Sequence, residues 1–156
     1  MKIFLCLCMT VFLMAFITNC ESKELRYNPE VEFKISYMNG GTEIAIIDFF
    51  GSGGEVIIPP KIQDLPVTLI ANLAFAQKNI TSITIPNSVT NIGFQAFFEN
   101  KLTEITIPAN VKITEAIINL HGDENYTFPF NFNNYYKNQG HKSGTYTYIN
   151  DRWRIK

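Results

Sequence analysis

No cysteine follows residue 20; the three present are Cys6, Cys8 and Cys20. A disulfide framework is therefore excluded for everything beyond the N-terminus, although export to an oxidising compartment is not. Histidine is nearly absent, with only His121 and His141, and neither sits in an HExxH or other spaced ligand set. No excess of one charge exists either. Thirteen basic residues face 14 acidic ones, and residues 1–19 contribute a single lysine and no acid. A chain this close to neutral has no electrostatic footprint for nucleic acid or anionic lipid, so neither partner is expected. Glycine-rich sequence is limited to Gly51-Ser52-Gly53-Gly54, with no Lys-Ser/Thr step after it to cradle a phosphate. It is expected to be a turn.

Long apolar runs are missing except at the start. Met1-Lys2 is followed by Ile3 to Ile17, fifteen residues with Thr10 as the one polar member. That is short for a bilayer span and suits the core of an export signal. Ile17-Thr18-Asn19-Cys20 resembles a bacterial lipobox, with Asn19 where Gly, Ala or Ser is usual. The resemblance implies cleavage after residue 19 and lipidation of Cys20. The charged stretch from Cys20 to Glu30 is then expected to be a solvated tether.

What the sequence does have is repetition. Asn79–Val89, NITSITIPNSV, returns as Lys101–Val111, KLTEITIPANV, after 22 residues. The offset also aligns Val67, Thr68, Ile70, Ala74 and Phe75 with Val89, Thr90, Ile92, Ala96 and Phe97. A period in the low twenties is that of a solenoid coil and too short for a helix pair. In SITIP, alternation puts Ile83 and Ile85 on one side of a strand and Ser82 and Thr84 on the other. A single strand cannot bury those isoleucines. Stacking the next coil about 4.8 Å away lays Ile105 and Ile107 on them. Pro86 and Pro108 end each strand, because proline cannot donate to the ladder. An earlier coil is marked by EVIIP at Glu55–Pro59, with five extra residues around Pro60–Leu65. After Val111 the match fails, and a cap is expected there.

Both ends carry cap signals. Val31–Tyr37 alternates Val31, Phe33, Ile35 and Tyr37 against polar neighbours, Asn39-Gly40-Gly41 is a hairpin turn, and Thr42–Phe50 is the return strand. Gly144–Lys156 is expected to be a second hairpin turning at Asn150-Asp151, and Tyr126–Gly140 an irregular aromatic segment.

The stretches Ile80–Phe97 and Leu102–Val111, preceded by Gly53–Phe75, resemble the BspA-like leucine-rich repeats of bacterial surface proteins. The resemblance implies a mainly β, short leucine-rich-repeat solenoid of about two and a half coils, with an N-terminal β-hairpin cap and a C-terminal aromatic cap and hairpin. The corresponding division is a signal peptide at 1–19, a tether at 20–30, a cap hairpin at 31–54, repeats at 55–118 and an aromatic cap at 119–156. It also implies a surface-exposed, lipid-anchored module that binds a host matrix protein or a bacterial surface protein, touching the membrane only through its anchor. A periplasmic or structural envelope lipoprotein without a host ligand is the alternative.

The expected binding face is the set of strand residues pointing away from the core, on the concave side: Glu55, Ile57, Ser82, Thr84, Glu104 and Thr106. A second candidate is the aromatic tail, Tyr135, Tyr136, Tyr146, Tyr148 and Trp153, since Tyr and Trp anchor many interfaces. Several of the same rings are better suited to covering Ile105, Ile107 and Val111 at the end of the stack. Self-association is also expected, because a short stack has little core. His121, Asp123 and Glu124 in HGDEN, and His141 near Ser143, are expected to lie in solvated loops. No cofactor, metal or enzymatic activity is expected.

Overall fold

A computed structural model of the chain describes residues 26–114 and 132–156. The export segment 1–19, Cys20 and the His121–Asn125 cluster lie outside the described residues.

The first hairpin forms from β1 (Phe33–Met38) and β2 (Glu43–Phe49), paired antiparallel. Asn39, Gly40 and Gly41 take φ of +48°, +70° and +91° at the turn, a backbone that asparagine and glycine adopt at low cost. The expected alternation holds only for Phe33 and Ile35. Val31 sits in a 3-10 turn at Glu30–Glu32 and is 87% exposed, and Tyr37 is 57% exposed beyond a bulge between Lys34 and Ile35. The unpaired residue of that bulge is Ile47 of β2, so β1 keeps its own alternation, and Tyr37 lies near the hairpin's tip with its hydroxyl on the Gln63 side-chain oxygen.

β2 is more than a hairpin arm. It pairs in parallel with β5 (Leu65–Ile70), which pairs with β7 (Asn91–Ile92), which pairs with β9 (Lys112–Ile113). The opposing sheet stacks β3 (Gly54–Ile57), β6 (Ile80–Thr84) and β8 (Glu104–Ile107), again in parallel. The chain thus winds β2 to β3, β5 to β6 and β7 to β8, which makes a β-solenoid of about three turns. The five extra residues of the first coil form a tight excursion. β4 (Lys61–Ile62) folds back on Leu65–Pro66 through Gln63 and Asp64, both at positive φ.

The core lies between the two sheets, and its columns are the repeat. Val67, Val89 and Val111 superpose, as do Val56, Ile83 and Ile105, and Ile58, Ile85 and Ile107; each is at most 3% exposed. At the turn after each strand of the first sheet, Phe49, Phe75 and Phe97 stack with centroids 5.2 Å apart at both steps, and Phe33 caps them at 5.4 Å from Phe49. Ala74 and Ala96 are fully buried in the same bends.

The ends are closed differently. Asn28 covers the free edge of β3, donating its backbone N–H to Ile57 O at 3.0 Å and accepting the Ile57 N–H on Oδ1 at 2.7 Å. An unpaired edge is otherwise a template for association. At the other end the stack runs one strand further than the repeat suggests. Asn91 pairs with Lys112 and Ile92 with Ile113, a register one residue shorter than 22. That slip keeps an isoleucine over an isoleucine where the sequence offset had put a threonine.

The segment expected to be irregular contains a helix, α1 (Phe132–Asn138). Its residues are poor helix formers, but Phe132 and Tyr136 are one turn apart, buried and stacked at 5.9 Å, so packing overrides propensity. The final hairpin, β10 (Gly144–Ile149) and β11 (Arg152–Ile155), turns at Asn150 and Asp151, both at positive φ. β10 then pairs antiparallel with β8 and extends the second sheet to five strands, ordered β11-β10-β8-β6-β3.

Candidate binding face

Residues directly opposite one another in a ladder point to the same side of the sheet. The registers therefore line up two outward rows. One runs Glu55, Ser82, Glu104, Thr147, Arg154, and the other runs Ile57, Thr84, Thr106, Thr145. All six strand residues singled out in the sequence fall on these rows. The inward partners between them, Val56, Ile83, Ile105 and Tyr146, are fully buried.

Neighbouring rungs interact. The hydroxyls of Thr106 and Thr145 lie 2.9 Å apart. Lys156, whose backbone N–H donates to Thr145 O, reaches Glu104 Oε2 with Nζ at 2.7 Å, an exposed pair of small energetic weight. The face is hydroxyl-rich and mostly half-exposed, but Thr147 is only 9% exposed, which interrupts the first row; β11 adds exposed Arg152 and Arg154. Thr145, Thr147 and the two arginines could not be assigned to this face from sequence, because nothing in it says that β10 docks on β8. The alternation of Thr145 and Thr147 around Tyr146 is the one signal, matching Glu104 and Thr106 around Ile105.

The aromatic tail goes elsewhere. Tyr136 and Tyr146 are fully buried and Trp153 is 6% exposed, so these three are core rather than surface anchors; Tyr135 and Tyr148 are half-buried against them. The physical reason is the open end of the stack. Tyr136 donates its hydroxyl to Pro108 O at 2.6 Å and accepts the Val111 N–H at 3.2 Å, while Tyr146 faces Ile105 across the ladder and donates to Lys142 O at 2.6 Å. Burial, with Tyr136 and Tyr135 nearby, pushes the Tyr146 phenol up to about 12. Burial also raises Tyr136, against the opposing effect of the Val111 N–H.

Chemistry elsewhere is sparse. His141 sits at φ +53° with its ring edge-on to Tyr136, centroids 5.0 Å apart. Among the described residues no group of three His, Cys, Asp or Glu side chains converges, and no helix is long and apolar enough to cross a membrane.

The family model for the BspA type leucine-rich repeat region matches residues 60–139, in six copies. The crystal structure of a leucine-rich repeat protein from T. pallidum is similar with a TM-score of 0.54 and 29% identity, over 58% of this chain and 44% of that one. A leucine-rich cell surface protein from Faecalibacterium prausnitzii shares the fold with a TM-score of 0.50 and 24% identity, over 58% of this chain and 27% of that one. The chain thus spans less than half the length of either. No curated protein matches it.

Proposed function

The chain belongs to the BspA-type leucine-rich repeat family, and from that premise we propose that it is an exported binding module. Its outward strand face holds a protein ligand at the cell surface. Leucine-rich repeats of this kind are interaction scaffolds, and the T. pallidum protein is similar over 58% of this chain. The observation that carries the reading is the pair of outward rows that run over β3, β6, β8 and β10, the first of them reaching Arg154 on β11. A partly hydroxylated strand surface, with neither described depression on it, suits a protein partner better than a small molecule.

Attachment through a lipid on Cys20, with residues 20–30 as tether, completes the proposal. Such an anchor holds the solenoid near a membrane while leaving both sheet faces free. Adhesion to host matrix or to other bacteria is the role that this arrangement would serve.

Two experiments test it. Binding of the purified chain to immobilised matrix proteins is compared with Thr84→Lys/Thr106→Lys, whose ammonium groups would rise from adjacent rungs. Loss of binding with an unchanged circular dichroism spectrum is expected; unchanged binding refutes this face. Palmitate incorporation in cells is expected for the wild type and not for Cys20→Ala, and equal labelling refutes the anchor.

A further inference from the structure

The first sheet ends on β9, the terminal strand in its order among the described residues. Lys112 and Thr114 donate their N–H groups inward, to Thr90 O and Ile92 O, both at 2.9 Å. Ile113 lies between them, so its N–H and C=O point the other way, out of the stack. Beside it opens a depression of about 290 Å³ lined by Asn110, Lys112, Ile113, Asn133 and His141, among others. Asn133, in the first turn of α1, is only 9% exposed, and its Oδ1 has no hydrogen-bond partner among the described residues. A buried amide oxygen left unpaired is costly and rare in a folded protein.

The chemistry of these groups narrows the occupant. An unpaired Oδ1 needs a donor, which excludes a bare carboxylate, phosphate or sulfate. The outward N–H and C=O of Ile113 need a donor and an acceptor at strand spacing. A peptide unit supplies both, and a side-chain amide reads it with its oxygen and nitrogen together. Charge adds a preference. Lys137 lines the depression, Lys112 is exposed at its rim, and no acidic side chain is among its described lining residues.

We propose that the outer edge of β9 and the Asn133 amide form a docking groove for an extended peptide segment bearing an acidic residue. The segment adds as the next strand of the first sheet, pairing with Ile113 through its backbone. Asn133 grips an adjacent peptide unit, and Lys112 meets the acid. This is strand addition at a sheet edge, in which main-chain bonds supply affinity and side chains supply choice. The groove belongs to the other sheet from the threonine-rich face, so it stands or falls independently of the role proposed for that face.

The test uses the full mature chain, ¹⁵N-labelled, titrated with a synthetic capped hexapeptide of alternating valine and threonine with one central glutamate. Chemical-shift changes are expected at the Ile113 amide and at the Asn133 side-chain amide. The same peptide with N-methylated backbone is expected not to bind. Asn133→Leu, with the same branching and number of side-chain heavy atoms, removes the orphaned oxygen and should leave thermal stability unchanged or higher while weakening the peptide about tenfold. Three results would overturn the proposal: an Ile113 amide already protected from hydrogen exchange in the free chain, equal binding of the N-methylated peptide or of Asn133→Leu, or shifts confined to β6 and β8. Saturation of the same resonances by a neutral oligosaccharide in place of the peptide would also overturn it.

Discussion

Asn100 holds two coils together, and its removal is a quantitative test of how this solenoid is closed. Its Oδ1 accepts the backbone N–H groups of Lys78 at 3.1 Å and Ile80 at 2.9 Å, both on the preceding turn. Its Nδ2 donates to Phe75 O at 2.6 Å, Phe97 O at 3.0 Å and Phe98 O at 3.3 Å. Five backbone groups beside the phenylalanine stack therefore converge on one half-buried amide, although Phe98 O also accepts the Gln77 N–H at 2.8 Å. Asn100→Ala deletes both ends of the clamp and offers nothing in return. Water can reach some of the freed groups, so the full sum of five bonds is not lost. Two N–H groups left poorly satisfied, and the carbonyls sharing one donor, together make a loss of about 3 kcal/mol. For a chain of this size that corresponds to a fall in Tm of roughly 10 °C. Asn72→Ala is the control. Asn72 is exposed and its Oδ1 accepts one N–H, from Phe94 at 2.8 Å, so its loss should cost only about 0.5 kcal/mol. Urea unfolding followed by far-ultraviolet circular dichroism gives both numbers. If Asn100→Ala costs no more than Asn72→Ala, the clamp is not what closes the turn.

Three further outcomes are expected. Gly53→Ala should destabilise by at least about 2 kcal/mol in the same assay, because φ is +82° and a Cβ there would stand 2.2 Å from Lys78 O. Tyr136→Phe should cost about 1–2 kcal/mol, since it leaves Val111 N–H and Pro108 O unpaired behind a buried ring; an unchanged urea midpoint would show that the C-terminal end is not sealed there. Stability should fall as pH rises from the ordinary tyrosine range near 10 toward about 12. The folded Tyr146 phenol is held in its neutral form by burial while the unfolded one ionises, so the contribution is full below pH 10 and lost through 12. Tyr146→Phe should flatten that alkaline limb, which a pH series of unfolding curves measures directly.

The repeat was open to sequence reasoning because each core position in one coil sits on its equivalent in the next. Ile83 over Ile105 and Phe75 over Phe97 need no information beyond period and alternation. The outward residues followed at once, since whatever alternates with a buried isoleucine must face the other way. The hairpin turns at Asn39-Gly40-Gly41 and Asn150-Asp151 were equally local, being set by which residues tolerate positive φ.

What the linear pattern could not carry is anything decided by contact between distant segments. Leu73 and Gln95, and Gln77 and Glu99, occupy the left-handed region at corresponding places in two coils, though none is a glycine or asparagine. The stacked phenylalanines and cross-coil hydrogen bonds such as Phe75 N–H to Ala96 O hold them there. The one-residue slip at β9, the helix built on Phe132 and Tyr136, and the docking of β10 on β8 likewise arise because the last coil had apolar surface to cover. Sequence by itself determined the period, the core columns and the outward rows, since these depend on neighbours a fixed distance along the chain. Only the tertiary structure decided how the stack ends, because exposed isoleucines and unpaired strand edges are satisfied by whichever segment reaches them in space.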